Sequence, residues 1–177
     1  MKDNRFQFGD IIATRSNSFL SRAIRWFMKK YRPSVDSFSH IAVVINIWGE
    51  QWIAEALAKG VRVWSLPRSG YSVKKQVILL RLNAGFTEEQ IEAVSKKMIS
   101  LAGVRYQYEN LPLWVVKILL KINLFRKDSQ KAIYCSELGA IAINEAYPGT
   151  FKAPNITSPA DHYDNVIYQR LDINNIL

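Results

Sequence analysis

The sequence predicts an α+β fold in which a mostly antiparallel sheet packs against helices. Three observations support this prediction. Apolar residues alternate in short runs through the first half of the chain, turn signals separate these runs, and apolar residues recur at helical spacing in the second half. The 177 residues suit a single domain over 1–177, with a hydrophobic helical insertion at about 111–125.

The composition limits the classes of partner. Lys and Arg total 24 against 15 acidic residues, so the net charge of +9 favours anionic partners, although such an excess also occurs as a solubility feature. No recognised nucleic-acid motif appears, so we expect no specific nucleic-acid partner. One cysteine excludes an internal disulfide framework and a cysteine-rich zinc site, and we expect no metal and no cofactor.

The sequence also carries signals about location. The first residues lack the apolar segment of a secretory signal, so we expect a cytoplasmic protein without a signal peptide. The most apolar stretch, 111–125, is interrupted by Lys117 and Lys121 and falls short of a membrane span. Peripheral contact with an anionic membrane remains open.

The first elements combine a strand with a basic helix. Residues 6–14 read as a strand interrupted at Gly9-Asp10. Residues 19–31 carry one apolar stripe at helical spacing with basic residues on the remaining surface, and Pro33 ends this helix. Such a helix either packs on its own core or lies on a membrane surface.

Four further strands follow. The strongest, 37–47, alternates so that its isoleucines and Val43 share one face and His40 points to the other. A hairpin connection at 48–51 leads into a return strand at 52–57, then come strands at 61–66 and 75–82. We expect these four strands to form a meander in sequence order.

The second half is mainly helical. Thr87 and Gln90 have the spacing of a capping box, which opens a helix closed by Gly103. Residues 111–124 form a helix that is apolar almost all round, either buried or acting as a lid at the site or in a lipid interface. The tail is irregular at 154–161 and strand-like at 165–171.

Cys135 lies where the apolar pattern changes from a short strand to a helix. The apolar residues after it recur at helical spacing, which places the thiol at or just before a helix N-terminus. Unpaired N–H groups and the helix dipole favour a thiolate there, and the same N–H groups can hold an oxyanion. A lone cysteine is also commonly an inert buried residue.

A nucleophilic thiol needs a base that is oriented by a third group. The chain has two histidines: His40 at the start of the strongest strand, and His162 in the tail. Glu55 is the acidic residue within the apolar return strand. A hairpin centred on Gly49-Glu50 places Glu55 on the same side of the sheet as His40 but about 13 Å away. Contact between them therefore requires a two-residue register shift, a bulge or another third group.

The order of several short motifs resembles the circularly permuted branch of the NlpC/P60 superfamily of papain-like thiol enzymes. This branch is close to the YiiX-like group and more distantly related to lecithin retinol acyltransferase. In the unpermuted enzymes the cysteine helix precedes the histidine strand, whereas here the histidine comes first. The motifs, spread over roughly residues 6–165, are Gly9-Asp10-Ile11-Ile12, Ser39-His40-Ile41-Ala42-Val43-Val44, Glu55-Ala56 with Gly60-Val61, Tyr106-Gln107-Tyr108 and Tyr134-Cys135-Ser136-Glu137.

The resemblance implies Cys135 as nucleophile, His40 as base and Glu55 as the residue that orients the base. It implies Tyr106 as an aromatic residue lining the pocket, with its hydroxyl available to the oxyanion site. The backbone N–H of Cys135 is the second oxyanion donor. The apolar segment 111–124 is not required by these motifs.

Three functional interpretations follow. The first is a thiol hydrolase that cleaves an amide bond in a peptidoglycan-type peptide or an amino-acid amide. The second keeps the three residues and makes the substrate a lipid acyl ester or amide at a membrane surface, hydrolysed or transferred. The third is a non-catalytic basic module that binds nucleic acid or an anionic surface.

Overall fold

The computed structural model describes residues 3–15, 22, 25–26, 38–71, 77–107 and 132–172. The strands of these ranges are β1 (Ile11–Thr14), β2 (His40–Ile47), β3 (Glu50–Leu57), β4 (Gly60–Ser65), β5 (Val77–Leu82), β6 (Arg105–Tyr106), β7 (Ala132–Ile133) and β8 (Tyr168–Asp172). The helices are α1 (Leu66–Ser69), α2 (Glu88–Ser100), α3 (Cys135–Ala146) and α4 (Pro159–Tyr163), with a 3-10 turn at Pro154–Ile156.

Six strands form one antiparallel sheet in the order β4-β3-β2-β1-β5-β8. The predicted α+β class, with an antiparallel sheet packed against helices, is confirmed. β6 and β7 form a separate parallel pair. The predicted meander of four consecutive strands is wrong, because β1 lies between β2 and β5 and pairs with both of them.

Both faces of the sheet are covered. On one face, Ile41, Val43 and Ile45 of β2 pack in a core with residues of α2 and α3. On the other face, Ala42 and Val44 join a second core that includes Tyr71 and residues of the N-terminal segment. The alternation in the sequence had indicated one apolar core face, but β2 is central in the sheet and buries both of its faces.

Local sequence signals explain the two longer helices. Thr87 accepts a hydrogen bond from the backbone N–H of Gln90 at 3.3 Å, and the Gln90 side chain accepts one from the N–H of Thr87 at 2.9 Å. The predicted capping box is therefore confirmed. α3 begins at Cys135, as predicted, and most of its residues are buried because it packs against both β2 and α2.

Three predicted elements either lie outside the described residues or differ from the structure. The helices at 19–31 and 111–124, including the proposed insertion, lie outside the described residues apart from 22 and 25–26. The irregular stretch expected at 154–161 instead contains the 3-10 turn and the start of α4. Ser158 and Asp161 form a capping box that opens α4, a signal that the sequence contained. Within the described part of the chain, no helix has the length and hydrophobicity needed to span a membrane.

Candidate active site

The cysteine occupies the first position of α3. Tyr134 is the N-cap residue with extended backbone, and its N–H donates to the Glu137 carboxylate at 3.4 Å. The N–H groups of the first turn have no partner within the helix, so they are available to an anion at this end. Cys135 is buried, with 6% of its surface exposed. The sulfur therefore lies in a dry environment at the positive end of a helix.

The sulfur lies at the end of the sheet, beside β2. Pairing between β2 and β3 stops at Ala42 and Glu55, one residue short of Ile41. The backbone N–H of Ile41 hydrogen-bonds the Cys135 sulfur, as does the backbone N–H of Ser136. The N-terminus of α3 thus lies where the β2–β3 pairing stops, and two backbone N–H groups donate to the thiol sulfur.

His40 lies between the thiol and Glu55. Its Nε2 is 2.8 Å from Oε2 of Glu55, and its ring also hydrogen-bonds the Cys135 side chain. Because Nε2 is engaged with the carboxylate, Nδ1 is the ring nitrogen left for the sulfur. The structure therefore brings Cys135, His40 and Glu55 into one continuous hydrogen-bonded chain.

The hairpin register explains how Glu55 reaches His40. The register expected from the sequence is wrong by two residues: Glu55 lies opposite Ala42 instead of Val44, because the turn consists of Trp48 and Gly49. Glu55 is therefore on the same face as His40 and only two positions further along the ladder. This is the two-residue shift that contact between the side chains requires.

Glu55 is buried, and among the described residues its carboxylate is contacted by hydrogen-bond donors. Oε1 accepts hydrogen bonds from Nε of Arg62 at 3.0 Å and from Nε1 of Trp64 at 2.7 Å. Oε2 accepts one from the Tyr71 hydroxyl at 2.8 Å, in addition to its contact with His40. The Arg62 guanidinium stacks over the Trp64 ring at 3.5 Å. These contacts fix the carboxylate and compensate the cost of burying it.

The pKa directions describe an ion pair. Burial alone would lower the pKa of His40, but its hydrogen bonds to Cys135 and Glu55 raise it to about 9. Burial alone would raise the pKa of Cys135, but the contact with His40 holds it below its usual value. Burial would also raise the pKa of Glu55, yet the bonds from His40, Tyr71 and Arg62 lower it to about 2. A thiolate, an imidazolium and a carboxylate are therefore favoured together near neutral pH.

Tyr106 belongs to the short strand β6. This strand pairs in parallel with β7, and Tyr106 lies opposite Ile133, two residues before Cys135. Tyr106 is partly buried and packs against the core that contains Cys135. Its neighbour Gln107 continues the pairing by donating its N–H to the carbonyl of Ile133 at 3.3 Å. The predicted pocket tyrosine is thus on the strand next to the cysteine segment.

The second histidine has a different environment. His162 is fully buried, its Nε2 is 2.8 Å from the carbonyl oxygen of Ser136 and its Nδ1 is 3.3 Å from the Tyr168 hydroxyl. Burial lowers the pKa of His162 to about 4. The ring is therefore neutral, with Nε2–H donating to Ser136 and Nδ1 accepting from Tyr168. It holds the C-terminal segment against α3.

Sequence reasoning missed the residues around Glu55. Arg62 is directly opposite Glu55 in the β3–β4 ladder, and Trp64 follows on the same face two residues later. The turn between these strands consists of Ala58 and Lys59, whereas the turn signal at Lys59-Gly60 lies one residue later and would have paired Glu55 with Trp64. Tyr71 follows α1, and no local pattern in the sequence indicates its contact with Glu55.

Comparison with solved structures shows the fold of the chain. It is similar to the crystal structure of the metalloprotein YiiX from Escherichia coli O157:H7, DUF1105, with a TM-score of 0.64 and 16% sequence identity over 93% of this chain and 96% of that chain. No protein-family model matches the sequence, and no curated protein matches it. The predicted YiiX-like fold is confirmed.

The description of YiiX as a metalloprotein raises the question of a metal site. Across the described ranges, no group of three or more His, Cys, Asp or Glu side chains is arranged to hold a metal ion. The side chains of His40 and Glu55 bond each other, and His40 also bonds Cys135. The described residues therefore do not fit a resident metal.

Proposed function

We propose that this protein is a papain-like thiol hydrolase of the NlpC/P60 type that cleaves an amide bond through an acyl-enzyme on Cys135. One observation supports the proposal above all: His40 hydrogen-bonds the thiol of Cys135 and the carboxylate of Glu55 at the same time. A nucleophile, a base and a group that orients the base are what this chemistry needs.

The reaction begins from the thiolate–imidazolium pair. The Cys135 sulfur attacks the carbonyl carbon of the amide and forms a C–S bond, and the carbonyl oxygen takes up the negative charge. His40 then donates its Nδ1 proton to the amide nitrogen, the C–N bond breaks and the amine leaves. A water molecule, deprotonated by Nδ1 of His40, attacks the thioester and releases the carboxylic acid. Sulfur leaves as the thiolate and His40 keeps the proton, which restores the starting pair.

Glu55 orients the base in this scheme. Its carboxylate accepts the Nε2–H of His40, so Nδ1 faces the sulfur and the proton is transferred from the correct nitrogen. The three donors from Arg62, Trp64 and Tyr71 keep the carboxylate ionised and stationary. Glu55 therefore acts on the substrate only through His40.

The oxyanion needs donors close to the attacked carbonyl. The backbone N–H of Cys135 is the first of them, since the first-turn N–H groups of α3 have no intrahelical partner. The hydroxyl of Tyr106 is the second, and the pairing of β6 with β7 supports this role. We propose peptidoglycan-type peptides and amino-acid amides as the substrate class, in line with the motif order.

Lipid acyl esters or amides are the second candidate substrate. Trp48 exposes 96% of its surface at the β2–β3 turn, Trp26 exposes 67%, and the chain carries a net charge of +9. Exposed tryptophans and an excess of basic residues favour an anionic membrane surface. Co-sedimentation with phosphatidylserine vesicles at low salt tests this candidate, and unchanged binding by Trp48→Ala or no binding by the wild type rules out this surface.

Alkylation of the thiol tests the main proposal. Iodoacetamide at pH 6 is expected to modify Cys135 about 10-fold or more faster than N-acetylcysteine, because the free thiol is almost fully protonated there. His40→Ala is the matched variant, and it should return the rate towards that of the free thiol. A wild-type rate equal to that of N-acetylcysteine would show that Cys135 is not an activated nucleophile. The interpretation as a basic binding module would then remain.

A substrate screen completes the test. Peptide amides, peptidoglycan fragments and acyl esters are offered to the wild type and to Cys135→Ala. Hydrolysis should fall by about 10³-fold or more in the variant, since residues of such a unit fail together. Full activity of Cys135→Ala would contradict the mechanism. Amides cleaved faster than esters of the same acyl group would favour the first substrate class over the second.

A further inference from the structure

The end of the sheet away from His40 contains a cavity. Thr14 at one end of β1 lies opposite His40, whereas Asp10, just before the other end of β1, lines a cavity of about 550 Å³. Four residues of strand separate these two positions, which corresponds to roughly 13 Å. The cavity is therefore distinct from the Cys135 site.

Arg81 is the fixed polar group of this cavity. Its Nε and Nη2 donate to the two carboxylate oxygens of Asp10 at 2.9 and 2.8 Å, and Nη2 also donates to the carbonyl of Arg5 at 2.9 Å. The Arg81 side chain is only 20% exposed. Within the described ranges Nη1 has no hydrogen-bond partner, so this lining residue combines a rigidly held guanidinium with one NH2 group that is not used inside the protein.

The remaining polar groups are compatible with a ligand that accepts hydrogen bonds. Asp10 is the acidic residue of the described lining, and it is already paired with Arg81 and with the backbone N–H of Gln7 at 2.8 Å. The side-chain amides of Asn4 and Gln7 also line the cavity, and each carries an NH2 donor beside its acceptor oxygen. A carboxylate can thus bond Arg81 without facing an unpaired negative charge.

Apart from Gln51, whose side-chain amide is bonded to backbone groups of Asp3 and Phe6, the rest of the wall is apolar. It includes the side chains of Phe8, Phe86 and Ile91. Gly9, with φ of +86°, lies against the Phe86 ring so closely that a Cβ there would be 2.1 Å from the ring. The Phe86 ring also contacts Tyr147 edge-on, with centroids 5.8 Å apart. An aromatic or branched apolar group of a ligand fits this wall.

We propose that this cavity binds a small carboxylic acid with an aromatic or apolar body, the carboxylate on Arg81 and the body against Phe8, Phe86 and Ile91. The inference does not depend on thiol chemistry. It follows from a preorganised guanidinium edge beside an apolar wall, an arrangement typical of small-molecule sites.

Binding of 2-naphthoate to the full-length protein, measured by calorimetry and saturation-transfer NMR, tests the proposal, with 2-naphthamide as the uncharged match. The acid should bind saturably in the micromolar to low-millimolar range, and the amide about 10-fold or more weaker. Ile91→Trp, which fills the cavity, should abolish binding. Ile99→Trp on the exposed side of the same helix is the control and should bind like the wild type, as should Cys135→Ala.

A second variant tests the guanidinium itself. Arg81→Lys keeps the charge beside Asp10 but lacks the planar fork, so it should weaken binding of the acid about 10-fold and leave the weak binding of the amide unchanged. If this variant fails to fold, the Ile91→Trp and amide comparisons still decide the question. Absence of saturable binding, equal affinity for acid and amide, or unchanged binding by Ile91→Trp would each overturn the proposal.

Discussion

Glu55 and Tyr71 meet 16 residues apart in sequence, with the tyrosine hydroxyl 2.8 Å from Oε2 of the buried carboxylate. The same oxygen contacts Nε2 of His40 at 2.8 Å. Tyr71 therefore helps to position His40 indirectly, through its hydrogen bond to Glu55. Because the Glu55 carboxylate bonds His40, Arg62, Trp64 and Tyr71, changes at Glu55 or at these partners should alter the pKa of His40.

Replacing Glu55 by Gln should move the alkaline limb of the reaction. The Glu55 carboxylate helps to raise the pKa of His40 to about 9, so the imidazolium is retained up to that pH. Without the negative charge, the alkaline limb of the pH–rate profile for hydrolysis, which requires the imidazolium as proton donor, should shift down towards 6.5. Hydrolysis should fall by about 10²-fold or more.

The matched control for this variant is Glu50→Gln, on the exposed start of the same strand. It should keep the wild-type profile. An unshifted profile in Glu55→Gln, with the protein folded, would show that Glu55 does not act on His40.

Replacing Tyr71 by Phe removes one donor and leaves the ring. Oε2 of Glu55 then loses a hydrogen bond in a buried environment, which should cost about 1–3 kcal/mol of unfolding free energy. Arg62 and Trp64 still hold Oε1, so His40 keeps its partner and activity should fall less than in Glu55→Gln. Urea unfolding and the pH–rate profile measure the two effects. Tyr147→Phe, which removes a hydroxyl outside this network, is the control. Wild-type stability in Tyr71→Phe would show that this hydrogen bond contributes little.

The parts of this site differ in how far the sequence could predict them. The position of Cys135 at the start of α3 followed from a change of period, because a helix begins where apolar spacing becomes helical. The contact between His40 and Glu55 could not be predicted in this way, because the register of the β2–β3 hairpin depends on which two residues form its turn. Trp48 takes a positive φ of 52°, which a non-glycine residue rarely adopts, and the sequence favoured a turn one residue later.

Long-range order was harder to predict than local structure. The capping box at Thr87 was found because its two residues are three positions apart. The place of β1 between β2 and β5 depends on pairing with segments about 30 and 70 residues away, and no turn signal encodes it. The role of Tyr71 was missed for the same reason, since its partner lies in another element.

Gly139 should resist substitution by Ala, although alanine is the better helix former by about 1 kcal/mol. A Cβ at this position would lie 3.0 Å from Cε1 of His162 and 3.0 Å from Cγ2 of Ile41. Both neighbours are fully buried, and the His162 ring is also held by hydrogen bonds. We therefore expect Gly139→Ala to lose about 1–3 kcal/mol of stability.

The same change should slow alkylation of Cys135, because Ile41 supplies one of the donors to the sulfur and would be displaced. Asn144→Ala, a substitution of a polar residue at the other end of α3, tests whether any substitution in this helix slows alkylation of Cys135. A Gly139→Ala protein of higher stability and normal reactivity would show that the neighbours can move aside.

His162 should make the fold sensitive to mild acid. Burial lowers its pKa from 6.5 to about 4, so between these two pH values the unfolded chain binds a proton that the folded chain excludes. This contribution to the free energy of unfolding is therefore fully present above pH 6.5 and is lost as the pH falls to about 4, by roughly 3 kcal/mol at most. In the same window Glu55, whose pKa is lowered to about 2, loses little, and the contribution from the raised pKa of His40 is fully present. Urea unfolding of the wild-type protein at pH 4.5, 5.5 and 6.5, with and without His162→Gln, isolates the effect. The parent should lose stability across this series and the His162→Gln protein should lose much less, whereas parallel slopes would show that His162 accepts a proton in the folded state.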